Sequence, residues 1–242
     1  MTLALPFLLA LLVSAALVPI CRIAAVRLGY TVPPAEGRPA AAPRARFGGV
    51  AIVLALIGCA AAIGVAQAVP VVIACTVFLF VVGLVSDVAA LKPSTKLVAI
   101  IAVASIFLYF DRRLYWSESL TIDSLATLFW IVGITSAFNL LDNMDGLCGG
   151  VALIAGTAFL LTLFPIPAEG PSPQMQYLAV LLGSIAGFLV YNIHPASVTM
   201  GEAGSLAVGL QMAAMTLHIA PGRGSDLLSI IAVPALVLLI PI

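Results

Sequence analysis

The residues best equipped for chemistry lie in one run, Asn139-Leu-Leu-Asp142-Asn143-Met-Asp145-Gly146-Leu-Cys-Gly149-Gly150. Asp142 and Asp145 are three positions apart, a spacing that puts both carboxylates on one face of a helix end. Charge beside hydrocarbon is costly, and two neighbouring carboxylates repel each other. A divalent cation or a shared proton offsets such a pair. Mg²⁺ is the natural partner because it takes one or two carboxylates together with substrate phosphates, and Mn²⁺ is the alternative with similar oxygen ligands. A purely structural role competes with this: an Asp or Asn could cap the helix expected to begin near Leu147. Capping accounts for one acid better than for two.

Three further segments carry polar chemistry. Met200-Gly201-Glu202-Ala203-Gly204-Ser205 opens an apolar run. Glycines there allow close backbone approach, and a helix N-terminus offers unpaired N–H groups to a phosphate. Glu202 adds a hard oxygen ligand, although a first-turn Glu is also ordinary helix chemistry. Gly83-Leu-Val-Ser86-Asp87, followed by Lys92 and Lys96, sets an acid and two cations at a membrane edge. Taken alone, an Asp cap beside a basic loop explains it. Arg38, Arg44 and Arg46, ahead of Gly48-Gly49, could clamp a diphosphate or anchor to lipid headgroups. His194 is expected to hydrogen-bond locally near Pro195, and His218 to be a helix-end residue without chemistry.

The elements that must hold these residues follow from composition. The 242 residues are 63% hydrophobic and only 8% charged, whereas soluble domains carry roughly 25% charged residues. A membrane span needs about 20 apolar residues, and the sequence is little more than a series of such runs. The pattern predicts a single, all-α integral membrane domain over 1–242, a polytopic transmembrane bundle of about nine helices. They fall near 2–20, 47–66, 69–86, 95–110, 122–140, 147–165, 176–192, 202–220 and 226–242. Pro70 marks the turn between the second and third, and the Pro-rich 164–173 reads as a loop. Residues 1–20 read as a first span rather than a removed signal peptide. The net charge is zero, which gives no reason to expect nucleic-acid binding, for which a basic patch is needed. Cys21, Cys59, Cys75 and Cys148 have neither metal-site nor disulfide spacing and read as small apolar side chains.

Basic residues set the orientation. An N-terminus outside places Arg22, Arg27, Arg38, Arg44, Arg46, Lys92 and Lys96 within and only Arg112, Arg113 and Arg223 without. Every odd-numbered helix then ends in the cytoplasm. Asp87, Asp142, Asp145, Asn192, His194, Glu202 and the three arginines all fall on that side, although the acids had no part in choosing it. Four carboxylates and three arginines at one face suit an anionic, metal-bound substrate.

The order Gly-Leu-x-x-Asp…Lys-Leu, Asn-Leu-Leu-Asp-Asn-Met-Asp-Gly-Leu, then Tyr-Asn-x-x-Pro-Ala-x-x-x-Met-Gly-x-x-Gly-Ser resembles the polyprenyl-phosphate N-acetylhexosamine-1-phosphate transferases. Arg44-Ala-Arg46-Phe-Gly-Gly is similar to that family's Pro-x-Pro-Arg-x-Gly-Gly loop, and the likeness runs from about residue 30 onward. The resemblance implies a multi-pass enzyme of the bacterial plasma (inner) membrane. It would pass HexNAc-1-phosphate from a UDP-HexNAc to undecaprenyl phosphate on the cytoplasmic face, releasing UMP, for cell-envelope glycans such as peptidoglycan or lipopolysaccharide. It implies Mg²⁺ as cofactor, with Asp87, Asp142 and Asp145 catalytic and Asp87 and Glu202 on the metal. Arg44, Arg46, Lys96, Asn139, Asn192, Gly201 and Ser205 would contact substrate, and a homodimer is a further expectation.

The sequence departs from the family at four points. Ser86 stands beside Asp87 where the family has a second Asp, Glu202 stands where Asp is usual, and Ser136 replaces an Asn. The family's histidine-rich cytoplasmic loop and last helices are expected to be missing. These departures motivate an alternative, a catalytically silent relative that binds lipid phosphate or a partner. A transporter is a more distant alternative, since its ionisable groups would lie near mid-membrane and come with inverted repeats.

Overall fold

Pro70, Pro93 and Pro173 each open a helix, as the residue without a backbone N–H can where no intrahelical bond is due. In the computed structural model, which describes residues 3–32, 44–162 and 170–219, the chain folds as α1 (Ala4–Arg27), a two-stranded ribbon of β1 (Thr31–Val32) and β2 (Arg44–Ala45), α2 (Gly48–Ile63), a 3-10 turn (Val65–Ala68), α3 (Pro70–Ala89), α4 (Pro93–Tyr109), α5 (Leu120–Leu141), α6 (Leu147–Thr162), α7 (Pro173–Asn192) and α8 (Gly201–Ile219). The first eight expected helices are therefore present. The ninth, at 226–242, lies outside the described residues, as do Arg38 and most of the Pro-rich loop.

Among the described residues four helices, α1, α3, α5 and α7, are long and apolar enough to cross a membrane. Large apolar side chains such as Leu12, Phe129 and Leu161 point outward, at 66–74% exposure. Their neighbours on the inner faces, Leu79, Ile131 and Leu181, are fully buried. Apolar on both faces is the signature of a helix with lipid outside it. The fold is that of a helical membrane protein.

Helix α1 differs from the expected 2–20. It runs on through Arg22 to Arg27, so these two arginines sit on helix turns rather than in a loop. Pro19 does not end it, although it withholds one backbone bond. The turn expected before Pro70 forms as the 3-10 segment Val65–Ala68, entered through Gly64 at φ +82°, and Pro70 starts α3.

Cross-helix contacts fix the directions. Gly83 on α3 abuts Ala203 on α8, while Thr76, earlier in α3, bonds Gln211 further along α8. Asn139 and Trp130 on α5 meet Ser205 and Thr216 on α8 in the same sense. On α7, Tyr177 meets Gln211, and Asn192 meets the segment just before α8. Helices α3, α5 and α7 thus run antiparallel to α8, and their C-terminal ends converge on its N-terminus. Phe7 and Leu11 of α1 lie against Gly183 and Gly187 of α7, so α1 runs parallel to α7. One end of the bundle collects the polar residues.

Candidate active site

The N-terminus of α8 is the hub. Gly201 has φ +76°, and the first amides of the helix point at acids from two other helices. Asp87, in the last turns of α3, accepts from the amides of Glu202 and Ala203, both at 3.0 Å. Asp142, the residue after α5, accepts from the Gly201 amide at 2.9 Å. These amides are the orphan donors every helix start leaves. The expectation that they stand free for a substrate phosphate is corrected: the chain's own carboxylates occupy them.

Backbones come very close here. A Cβ at Gly49 would lie 2.2 Å from the Gly204 Cα, and one at Gly83 would lie 2.5 Å from the Glu202 carbonyl oxygen. Only glycine permits α2, α3 and α8 to meet at that distance. The Gly48 and Gly49 amides donate to the carbonyls of Thr199 and Met200 at 3.0 and 2.7 Å. Ala45 pairs with Thr31 on one side and bridges to Val198 on the other. Arg44, on this short strand, and Arg46, just after it, are thereby pinned against the α8 approach.

Asp142 and Asp145 part company. Helix α5 stops at Leu141; Asn143 donates to the Leu140 carbonyl at 2.7 Å, and Gly146 turns the chain at φ +74°. The two acids therefore do not share a helix face, as three-residue spacing had suggested. Asp142 turns to α8, while Asp145 turns outward to Arg44, to the Ala196 amide at 3.3 Å and to His194 Nδ1 at 3.0 Å. His194 does not bond locally, as expected from Pro195; it reaches back across the loops to an acid 49 residues earlier. Nothing in the spacing announces this contact, because it depends on how the α7–α8 segment folds over the α5–α6 turn.

Electrostatics separate the two acids further. Burial pushes the Asp142 carboxyl up to about 7, with the Asp87 charge adding to the rise and the Gly201 amide opposing it. Burial also pulls the Asp145 carboxyl upward, but His194, the Ala196 amide and Arg44 outweigh it and hold it below the usual carboxylate range.

A cavity of about 580 Å³ opens at this end of the bundle. Its walls bring together Arg44 and Arg46, Ser86 and Asp87, Asn139, Asp142 and Asp145, Asn192, Gly201 and Glu202. Arg46 donates to the Asp87 carbonyl at 3.3 Å. Lys96 pairs with Glu202 at 2.8 Å, and Ser205 donates to Asn139 at 2.9 Å, each just behind the wall. Asn192 is buried with its amide engaged by the Gly146 N–H and the Val198 carbonyl, so in this arrangement it holds loops together. His218 lies in the last turn of α8, away from this end.

The donor set suits a hard cation held largely by its substrate. No group of three His, Cys, Asp or Glu among the described residues could cage an ion by itself. Mg²⁺ seldom needs such a cage; one or two carboxylates with phosphates and water suffice. Glu202 Oε2 and Ser86 Oγ are buried without a hydrogen-bond partner among the described residues. Unsatisfied buried oxygens of this kind fit an electropositive ligand.

A helical membrane protein with a cationic and carboxylate-lined cavity at one end is the class that fold and site define. The family model described as glycosyl transferase family 4 matches residues 69–220, and the chain belongs to that family. It is 44% identical over 88 residues to a phospho-N-acetylmuramoyl-pentapeptide-transferase of Carboxydothermus hydrogenoformans, covering 36% of this chain and 26% of that protein. It is 28% identical over 249 residues to a probable undecaprenyl-phosphate N-acetylglucosaminyl 1-phosphate transferase of Bacillus subtilis, covering 98% of this chain and 68% of that protein. A phospho-N-acetylmuramoyl-pentapeptide-transferase of Geobacillus thermodenitrificans is 33% identical over 134 residues, covering 50% of this chain and 40% of that one. The chain thus spans well under two thirds of the first and third of these relatives.

Proposed function

We propose that this protein transfers a HexNAc-1-phosphate from a UDP-sugar to undecaprenyl phosphate at the cytoplasmic face of a bacterial plasma membrane, releasing UMP, in cell-envelope glycan synthesis. The observation that carries the proposal is the convergence of four separated segments, around Arg44–Arg46, Asp87, Asp142–Asp145 and Gly201–Glu202, on one cavity. The names of the relatives supply the reaction and the acceptor lipid.

The chain's residues divide the work by chemistry. Arg44 and Arg46 present planar forks that match phosphate oxygens. Arg44 is held by Asp145 and exchanges that carboxylate for a substrate phosphate. Lys96 neutralises Glu202 and keeps one of its oxygens turned toward the buried wall. Asp142, held near neutrality, is suited to accept a proton or to bind a cation once ionised. Mg²⁺, with Asp87 and Glu202 as its protein ligands, would offset the charge that develops on the diphosphate during transfer.

Incubating the detergent-purified protein with UDP-GlcNAc, undecaprenyl phosphate and Mg²⁺ should release UMP, at least about 100-fold faster than an Asp142→Asn variant if that acid is a general base. Equal release from both would remove Asp142 from the mechanism. A second reading has its own observation: Ser86, where the family has a second acid, is buried without a hydrogen-bond partner among the described residues. A silent binder would hold UDP-sugar tightly with Mg²⁺ yet release no UMP.

A further inference from the structure

A second cavity, of about 390 Å³, is lined by Tyr191, the residue before Asn192 of the first cavity's wall, and by the last turns of α1. It forms beside the C-terminal turns of α1, next to the last turn of α7. Gly183 and Gly187 let the α1 backbone approach so closely that a Cβ there would meet the Phe7 and Leu11 carbonyls at 2.1 and 2.4 Å. One and two turns further on, α7 ends at Asn192 while α1 continues to Arg27. The gap is lined by Pro19, Arg22, Ile23, Val26, Arg27 and Tyr191.

Both arginines are exposed, and neither has a hydrogen bond or ion pair among the described residues. Neither α1 nor α7 contains an acidic residue that could serve them. Interleaved with the arginines on the same turns of α1, Ile20, Ile23 and Val26 are exposed apolar side chains at 53–61%. The cavity therefore combines two guanidinium groups, without partners among the described residues, with exposed hydrocarbon. An anionic phospholipid offers the same two chemistries, a phosphodiester and acyl chains, and basic residues beside an apolar helix face attract anionic lipid headgroups.

We infer that the α1–α7 cavity binds one anionic phospholipid, its phosphodiester on Arg22 and Arg27 and its chains along the outer face of α1. The site is distinct from the cavity proposed for transfer and does not rest on the transferase reading. It nonetheless touches the same framework. The Tyr191 carbonyl accepts from the Ser197 amide and hydroxyl at 3.0 and 3.2 Å, and Asn192 next to it holds the Gly146 turn. A lipid seated on Tyr191 bears on the segment that carries His194.

The test is native mass spectrometry of the full chain in detergent titrated with phosphatidylglycerol, with phosphatidylcholine of the same chains as comparison. The wild type should retain one phosphatidylglycerol in preference to phosphatidylcholine. Arg22→Gln/Arg27→Gln should bind it roughly tenfold or more weakly. Should that variant fail to fold, Val26→Trp, which fills the cavity from an exposed position, should abolish retention of the same lipid. Undiminished retention in the folded variants would overturn the inference, as would equal retention of both lipids. Displacement by inorganic phosphate at matched concentration would reduce the site to an anion pocket. Preferential retention of undecaprenyl phosphate, lost in the arginine variant, would give the cavity to the acceptor instead. Because binding is read directly, failure here leaves the UMP-release experiment unaffected.

Discussion

Asp87 on α3 and Ala203 on α8, 116 residues apart, are joined by a 3.0 Å bond from the Ala203 amide to Asp87 Oδ2. The partner oxygen takes the Glu202 amide, so one carboxylate caps a helix from outside it. Asp87→Ala should leave one buried and one part-buried amide without partners and lower stability by about 1–3 kcal/mol. In detergent without divalent cations this reads as a lower Tm, with Asp87→Asn falling between the two. An unchanged Tm for Asp87→Ala would mean that the residue serves only substrate or metal.

Gly49 and Gly204 support a sharper structural prediction. A Cβ at either would meet the other's backbone at 2.2–2.5 Å, whereas nothing lies within 4 Å of a Cβ at Gly58 on the same helix as Gly49. Gly49→Ala should cost about 1–3 kcal/mol and disturb the strand carrying Arg44. Gly58→Ala should be neutral or slightly stabilising. Thermal unfolding of the two variants side by side decides it, and equal Tm values would contradict the packing described.

Asp142 gives a pH dependence whose sign follows from its raised carboxyl. Between its ordinary value near 4 and about 7, the folded state holds a proton that the unfolded state has lost. Stability from this group is therefore greatest at the acid end and falls as pH rises toward 7, then levels off. The metal-free protein should show this decline in Tm between pH 5 and 7, and Asp142→Asn should flatten it. A decline of the same slope in the variant would assign it to another group.

Asp145 carries the opposite sign. Its lowered carboxyl adds stability above the ordinary carboxylate value, and this is lost as pH falls through its folded value. His194→Ala removes one of its three partners and should move that acid loss to higher pH, while His194→Gln, which can still donate, should restore part of it. For activity, both Arg44→Gln and His194→Ala should raise the KM for UDP-sugar more than they lower kcat. A pure kcat effect would place Asp145 at the reacting atoms.

Much of the fold could be read from apolar run length and from proline and glycine, because membrane helices must satisfy their own backbone bonds. Pro70 falls at the helix start it predicts. Helix α1 runs past the expected 2–20 to Arg27, because long basic side chains can remain on a helix at the membrane edge. The grouping of Asp87, Asp142 and Glu202 at one end followed from helix alternation. What each carboxylate touches did not. Asp87 and Asp142 are spent on amides of a helix that begins over fifty residues later, and the Asp145–His194 contact needs two loops folded over each other. Such partners are set by tertiary approach through Gly49, Gly83 and Gly204, which sequence spacing does not encode.

The most direct measurement follows the phosphorus. UDP-GlcNAc carrying ³²P only in the β-phosphate is supplied with undecaprenyl phosphate and Mg²⁺, and the organic phase is counted. Transfer of sugar-1-phosphate carries the β-phosphorus with the sugar, so the label should enter the lipid while unlabelled UMP remains in water. Label that stays with the nucleotide as UDP would show transfer of the sugar alone, and label that never enters the lipid, under conditions where UDP-GlcNAc binds, would contradict the proposed reaction.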